Sequence, residues 1–367
     1  MTLPAIAASI WDGRSLGARL VRAFLSPLSW LFTFGVSRRN AHFDRVVGAS
    51  SAIPSLSIGN LTVGGTGKTP VAAWCVQALQ KGGASPAIVM RGVGDDEWRV
   101  HTLLNPGIPV ILSPDRAAGV QLACDRGADV AVLDDAFQHR RAARVADIVL
   151  VSADQWRGVA RLLPAGPFRE PLHALRRAHL VVVTAKAVAA DRSEEVARAV
   201  RAVAPDVPIA FVRLIPGDVR LATSEQSAAT GAAAGAAAAR THATDWLVGR
   251  ELCVTTAIGD SAAFERQVRD LGAIVRLSRH FPDHYAYTRD DAETLALSAT
   301  GTSGVLCTLK DAVKLAPLWP REAPPLWYLS QSVFVDRGAD AFARVFARVL
   351  MARTATTPTV GSAGLIP

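Results

Sequence analysis

Cysteine is scarce and scattered. Cys75, Cys124, Cys253 and Cys307 form no C-x-x-C pair and have no histidine at ligand spacing, which excludes a zinc ribbon and a disulfide framework and fits a reducing compartment. No internal repeat recurs, so a solenoid is excluded. The arginines do not gather into a basic tract interleaved with aromatics, so no nucleic acid is expected as a partner, even with a formal charge of +8 and a pI near 9.8. The Asn-Lys-x-Asp element of guanine-reading switches is also missing; VTAKAV (183–188) comes nearest and lacks both the Asn and the Asp. The uncharged stretch Ala23–Val36 is shorter than the ~20 apolar residues a membrane span takes.

What that stretch does carry is aromatic and apolar bulk: Phe24, Leu25, Leu28, Trp30, Leu31, Phe32 and Phe34, with Arg14, Arg19 and Arg22 before it and Arg38 and Arg39 after it. Apolar residues flanked by arginines predict a helix lying in the interface of an anionic membrane. Half of the 367 residues are hydrophobic, enough for sizeable packed cores. Buried runs at 55–59, 87–90, 109–112, 130–134, 148–151 and 180–184 alternate with helical patterns, which predicts an α/β fold with a parallel sheet covered by helices on both faces. The segment 222–244 is rich in Ala and Gly and predicts a flexible insertion or linker. Strand runs resume at 252–258, 273–277, 304–309 and 326–330 as a second, smaller α/β lobe. The expected organisation is an N-terminal interfacial helix (1–39), a nucleotide-binding domain (40–221), the linker (222–244), the second lobe (245–352) and a disordered tail (353–367).

The strongest local signal is SIGNLTVGGTGKTP (57–70), which follows a strand and opens a helix. In such a P-loop the backbone of Thr62, Val63, Gly64, Gly65, Thr66, Gly67, Lys68 and Thr69 closes around nucleotide phosphates, Lys68 reaches the β and γ phosphates, and the Thr69 hydroxyl ligates Mg2+. Thr62 stands where the consensus has glycine. The run VAVL then ends in Asp134-Asp135, which delivers two carboxylates to the carboxyl edge of the sheet, where an acid of a P-loop enzyme holds magnesium directly or through water. ATP and Mg2+ are therefore the expected cofactors.

With LDDAFQHRR (133–141), LLPAGPFREP (162–171), FPDHYAY (281–287) and TLKDAVKL (308–315), the P-loop segment resembles the signature set of the tetraacyldisaccharide 4'-kinase family, in family order from about residue 54 to 315. The resemblance implies transfer of the γ-phosphate of ATP to the 4'-hydroxyl of a tetraacylated glucosamine disaccharide 1-phosphate, at the cytoplasmic face of the bacterial inner membrane, with the N-terminal helix on the membrane surface. It also implies catalytic roles for Asp96, His284, Lys68 and Asp135, magnesium ligation by Thr69, Glu97 and Asp134, and substrate contacts from Arg116, Gln138, His139, Arg169 and Glu170. Asp95 is the neighbouring alternative to Asp96. Three positions depart from the family pattern: Ala136 replaces a glycine, Leu309 replaces an acid, and Trp98 stands where proline is usual. A soluble P-loop synthetase, which would not explain the aromatic N-terminus, or a nucleotide switch, which would need the missing guanine-reading element, is the alternative reading.

Overall fold

A computed structural model describes residues 7, 9–11, 13, 15–45, 51–92, 97–186, 188, 190–222, 241–283 and 285–356. Among them, twelve strands form one sheet. The chain enters it through β1 (Ser55–Asn60), β2 (Pro86–Met90), β3 (Val110–Leu112), β4 (Val130–Asp134), β5 (Ala146–Ser152) and β6 (Leu180–Ala185), each within a residue or two of its predicted run. These strands pair in parallel, and β4, β5 and β6 are buried along their whole length. The alternation of the pleat explains why both faces are apolar. Ile88, Val130 and Val132 face one core, whereas Ala87, Val89, Ala131 and Leu133 face another on the opposite side.

Helix α1 (Leu16–Arg45) precedes the sheet, and α2 (Lys68–Lys81) opens directly behind the glycine loop. Val71, Cys75 and Leu79 recur at helical spacing along α2 and are buried against β1, β4 and β5. The helix stops at Gly82, and Gly83 takes a φ of 84°, a left-handed conformation in which a side chain would be strained. Helices α3 (Glu97–Leu104) and α4 (Arg116–Asp125) follow β2 and β3; Asp115 caps α4 by accepting bonds from the Ala117 and Ala118 amides. Helix α5 (Ala190–Val203) buries Val196, Ala197 and Val200 on the opposite face from α2.

The two halves predicted from sequence share this sheet. Strand β7 (Ile209–Leu221) pairs in parallel with β6 and antiparallel with β12 (Leu326–Arg337), from Leu221 opposite Trp327 to Phe211 opposite Arg337. Beyond β12 lie β11 (Val305–Thr308), β9 (Glu251–Thr256) and β10 (Ile274–His280), so the order runs β10-β9-β11-β12-β7-β6-β5-β1-β4-β2-β3. Helices α6 (Ser261–Asp270) and α7 (Arg289–Ser298) cover the second half, and α8 (Leu309–Leu315) follows β11. The short β8 (Thr241–His242) pairs antiparallel with β7, Thr241 opposite Arg220. The Ala/Gly-rich stretch thus leaves and re-enters the fold at neighbouring points; residues 223–240 themselves lie outside the described residues.

One helix crosses the boundary expected at 245–352. Helix α9 (Ala339–Thr356) begins within that segment, yet Phe342, Val345 and Val349 pack into the core of the first half. The Phe342 ring meets Trp74 of α2 edge-on at 4.8 Å, and full burial of such a ring contributes about 2–3 kcal/mol. The helix also runs past Arg353, where the tail was expected to begin; residues 357–367 lie outside the described residues.

Among the described residues, α1 is long and apolar enough to cross a membrane by length and composition. It spans 30 residues, more than twice the uncharged run seen in the sequence, because the helix continues through Leu16–Arg22 before that run and Ser37–Arg45 after it. Phe24 and Trp30 are 82% and 77% exposed, and Leu16, Leu20, Leu31 and Phe34 are exposed beside them. Its other side is held by polar contacts. Ser29 Oγ donates to Leu162 O (3.1 Å) and accepts from the Ala165 amide (3.1 Å). Asn40 donates to Glu170 Oε2 (2.8 Å), and Arg140 donates to Asn40 O (2.8 Å) and pairs with Asp44 (2.7 Å).

Candidate functional site

The site begins where β1 ends. Gly64 (φ 107°) and Gly67 (φ 86°) take left-handed conformations, and a Cβ on Gly67 would lie 2.3 Å from Leu214 Cδ1. Substitution there would therefore strain the backbone and clash as well. Gly67 is also the N-cap of α2 and supplies no side-chain bond, so the first amides of the helix stay open to an anion. The loop is pinned from both sides. Asn60 Nδ2 donates to Thr66 Oγ1 (2.9 Å), Thr184 Oγ1 of β6 donates to Thr66 O (2.9 Å), and the Val63 amide donates to Pro167 O (2.9 Å). Thr62 is buried and bridges to Phe168.

At the end of β4 the two acids have different surroundings. Asp135 adopts φ 50°, rare for a residue with a side chain. Its carboxylate takes two bonds from Arg169, Nη1 to Oδ2 at 3.1 Å and Nη2 to Oδ1 at 2.8 Å, and lies 3.6 Å from Lys68 Nζ. Burial pushes this carboxyl up, but the hydrogen bond from Arg169 and the charges of Lys68 and Arg169 outweigh it and hold it at about 2. Asp135 is consequently ionised at any physiological pH and is a poor proton acceptor. Asp134 is buried; its Oδ2 lies 2.9 Å from His101 Nε2, and its Oδ1 is buried without a hydrogen-bond partner. An orphaned carboxylate oxygen beside a P-loop suits magnesium or a water that magnesium holds. Among the described residues no three His, Cys, Asp or Glu side chains cluster around a metal position.

The other predicted residues distribute as follows. Gln138 donates through Nε2 to Asn60 O (2.9 Å). His139 sits in the same turn, and burial followed by the charges of Arg116 and Arg91 lowers its pKa, against the pull of Asp135. Arg144 holds that turn by donating to the carbonyls of Ala136 (2.9 Å), His139 (2.8 Å) and Phe137 (3.2 Å). Arg116 is buried and bonded to Ser113 O (2.7 Å) and Asp134 O (3.4 Å), supporting the strand end from behind. Glu170 is fully buried, with Arg177 at 2.9 Å, Arg39 at 3.9 Å and the Asn40 bond already described. Arg116 and Glu170 were expected to contact substrate; here they face protein partners. Glu97, first in α3, lies 3.8 Å from Lys310 of α8. Asp95, Asp96 and His284 lie outside the described residues.

Sequence reasoning missed Asn60, His101, Thr184 and Arg144. Asn60 stood inside the quoted P-loop segment but had no assigned role, although its Oδ1 accepts a bond from Arg169 and its amide holds Thr66. No signal in the sequence pointed to the other three.

The family described as LpxK: Tetraacyldisaccharide-1-P 4'-kinase matches residues 21–106 and 93–350. A tetraacyldisaccharide 4'-kinase from Halorhodospira halophila is 33% identical over 325 residues, 83% of this chain and 86% of that protein. One from an Anaeromyxobacter species (strain Fw109-5) is 35% identical over 341 residues, 84% of this chain and 87% of the relative. Among solved structures, LpxK from Aquifex aeolicus in complex with ATP aligns with a TM-score of 0.67 at 26% identity, covering 90% of this chain and 99% of that one.

Proposed function

Because the chain belongs to the tetraacyldisaccharide-1-P 4'-kinase family, and is on that ground an ATP-dependent lipid kinase of lipid A biosynthesis, we propose that its phosphoryl transfer is carried by the P-loop and the end of β4. The observation that carries this reading is the open helix N-terminus beside an ionised Asp135 clamped by Lys68 and Arg169. Thr69 and Asp134, with Glu97 nearby in sequence to the proposed base, would hold the magnesium that neutralises charge on the phosphates. The backbone of residues 62–69 grips the phosphates, and Lys68 stabilises the charge that develops on the transferring group. Asp135 keeps Lys68 and Arg169 in place. The proton of the acceptor hydroxyl goes to Asp96, with His284 of the second half orienting it. Gln138 and His139 line the acceptor side, while Arg116 and Glu170 act through their neighbours. The division into a nucleotide-binding part (40–221) and a part that brings His284 (245–352) follows these roles.

The direct test supplies full-length protein with labelled ATP, Mg2+ and the tetraacylated disaccharide 1-phosphate in detergent. The expected product is the same lipid with one additional phosphate. Hydrolysis of ATP with no labelled lipid would overturn the assignment.

For the membrane we infer that α1 lies along the surface of the cytoplasmic leaflet rather than crossing it. Ser29, Asn40 and Asp44, which span about 22 Å of helix at 1.5 Å per residue, are all bonded to the body, so the helix cannot enter the bilayer lengthwise without dragging the kinase half with it. Its exposed aromatic face suits the interface. Replacing Phe24, Trp30 and Phe34 by serine should release the protein from anionic vesicles and raise KM for the lipid far more than KM for ATP. Co-sedimentation at the wild-type level would rule the surface out. These exposed positions are cleaner than removal of residues 1–39, which would also take Arg39 from the buried Glu170.

A further inference from the structure

Buried histidines are seldom idle beside an acid. His101 is fully buried in the second turn of α3, and its Nε2 lies 2.9 Å from Asp134 Oδ2. A carboxylate only accepts hydrogen bonds, so Nε2 carries the hydrogen and donates it; Nδ1 is buried with no partner. We propose that His101 is a positioning residue for the metal site, fixing the plane of the Asp134 carboxylate so that Oδ1 faces the cation. The proposal rests on the reading of Asp134 as a magnesium ligand.

Three observations support it. The terminal torsion of an aspartate is broad and roughly two-fold, so an unbonded carboxylate would sample many orientations; one bond to Oδ2 selects among them and leaves Oδ1 as the open position. The atom left open is the buried, partnerless one. Finally, Glu97 and His101 are four residues apart in α3 and therefore share a face of that helix. The same bond that orients Asp134 also docks α3 against the end of β4, and with it the turn that bears Glu97. One imidazole thus sets two carboxylates from different elements. A hydrogen-bonding neighbour of a metal ligand of this kind typically changes metal affinity ten- to a hundredfold.

The test uses the full-length protein with a non-hydrolysable ATP analogue, into which Mg2+ is titrated and its Kd read by calorimetry. His101→Leu should raise the Kd for Mg2+ roughly ten- to hundredfold, leave the metal-free affinity for the analogue unchanged, and recover kcat at saturating Mg2+. His101→Gln, whose amide can donate in the same direction, should regain most of the Mg2+ affinity. Asp134→Asn is the reference and should lose it. If His101→Leu binds Mg2+ like the wild type while Asp134→Asn does not, the positioning role is wrong. Equal loss of metal-free nucleotide binding, or a Gln variant no better than Leu, would also overturn it, because either result points to packing instead of the hydrogen bond. Wild-type Mg2+ affinity in Asp134→Asn would remove the reading on which the proposal rests. Should the Leu variant fail to fold, His101→Asn, whose amide stops short of Asp134, replaces it in the same comparison.

Discussion

Lys68→Ala should lower kcat by roughly 10²–10³-fold, the loss typical when one preorganised charge is removed from a transition state, while the melting temperature changes little. Lys68 is half-buried at the first position of α2 and takes no part in the packing of Val71, Cys75 and Leu79 beneath it. Its removal also leaves Asp135 well partnered. Arg169 keeps its two hydrogen bonds to that carboxylate, and its hydrogen bond is the largest of the influences that lower the Asp135 pKa. The loss should consequently fall on the chemical step and not on the architecture of the site. Lys68→Arg should rescue poorly, since a planar fork does not reproduce a compact ammonium on a flexible stem. The measurement is single-turnover transfer to the lipid acceptor beside a thermal melt; transfer at the wild-type rate in a folded variant would remove Lys68 from the mechanism.

The second large effect is expected at Asp96 and His284. Each single change, Asp96→Asn or His284→Ala, should cost on the order of 10²–10⁴ in kcat at saturating ATP, the usual contribution of a positioned proton acceptor. The double variant should lose little more than the worse single one, as residues acting together do. Their sequence neighbours give the physical reason. Glu97, next to Asp96, pairs with Lys310, and Lys314 donates to the carbonyl of Tyr285, the residue after His284 (3.3 Å). Lys310 and Lys314 are four residues apart in α8 and share one of its faces. Glu97 and Tyr285 are therefore both held to the same side of a single short helix. Losses in ln kcat that simply add would show that the residues work independently, and a more damaging Asp95→Asn would make Asp95 the proton acceptor.

Much of this site was legible from sequence because its residues are contiguous. The glycine loop, Lys68, Thr69 and the paired acids at the end of β4 are fixed by local backbone geometry: a strand that stops, a turn that demands positive φ, a helix that starts. Arg169 came from its motif as a substrate contact, and in the structure its guanidinium clamps Asp135. What escaped depends on side-chain direction across elements. His101 reads as one more residue of an amphipathic helix until β4 is laid beside it, and Glu170 looks as available as Arg169 until its carboxylate is seen turned toward Arg177 and α1. Strand β7 was missed for a different reason. Pro216-Gly217 is a turn signal, but the ladder absorbs it with an irregularity between Leu329 and Gln331, and Gly217 lets Ser330 approach where a Cβ would lie 2.5 Å from its Oγ.

The antiparallel seam between β7 and β12 also governs how the two halves can move. A pair of bodies tied only by a peptide tether swings freely, with little restoring force. Here the halves are laminated along a ladder running from Leu221–Trp327 to Phe211–Arg337, and α9 returns from the far half to grip the near one. Each backbone bond in such a seam has a net worth of about 1 kcal/mol, so prising it open would cost a large part of what keeps a protein folded. Any relative motion of α3 and α8 therefore has to be accommodated within one continuous sheet and not at a free linker.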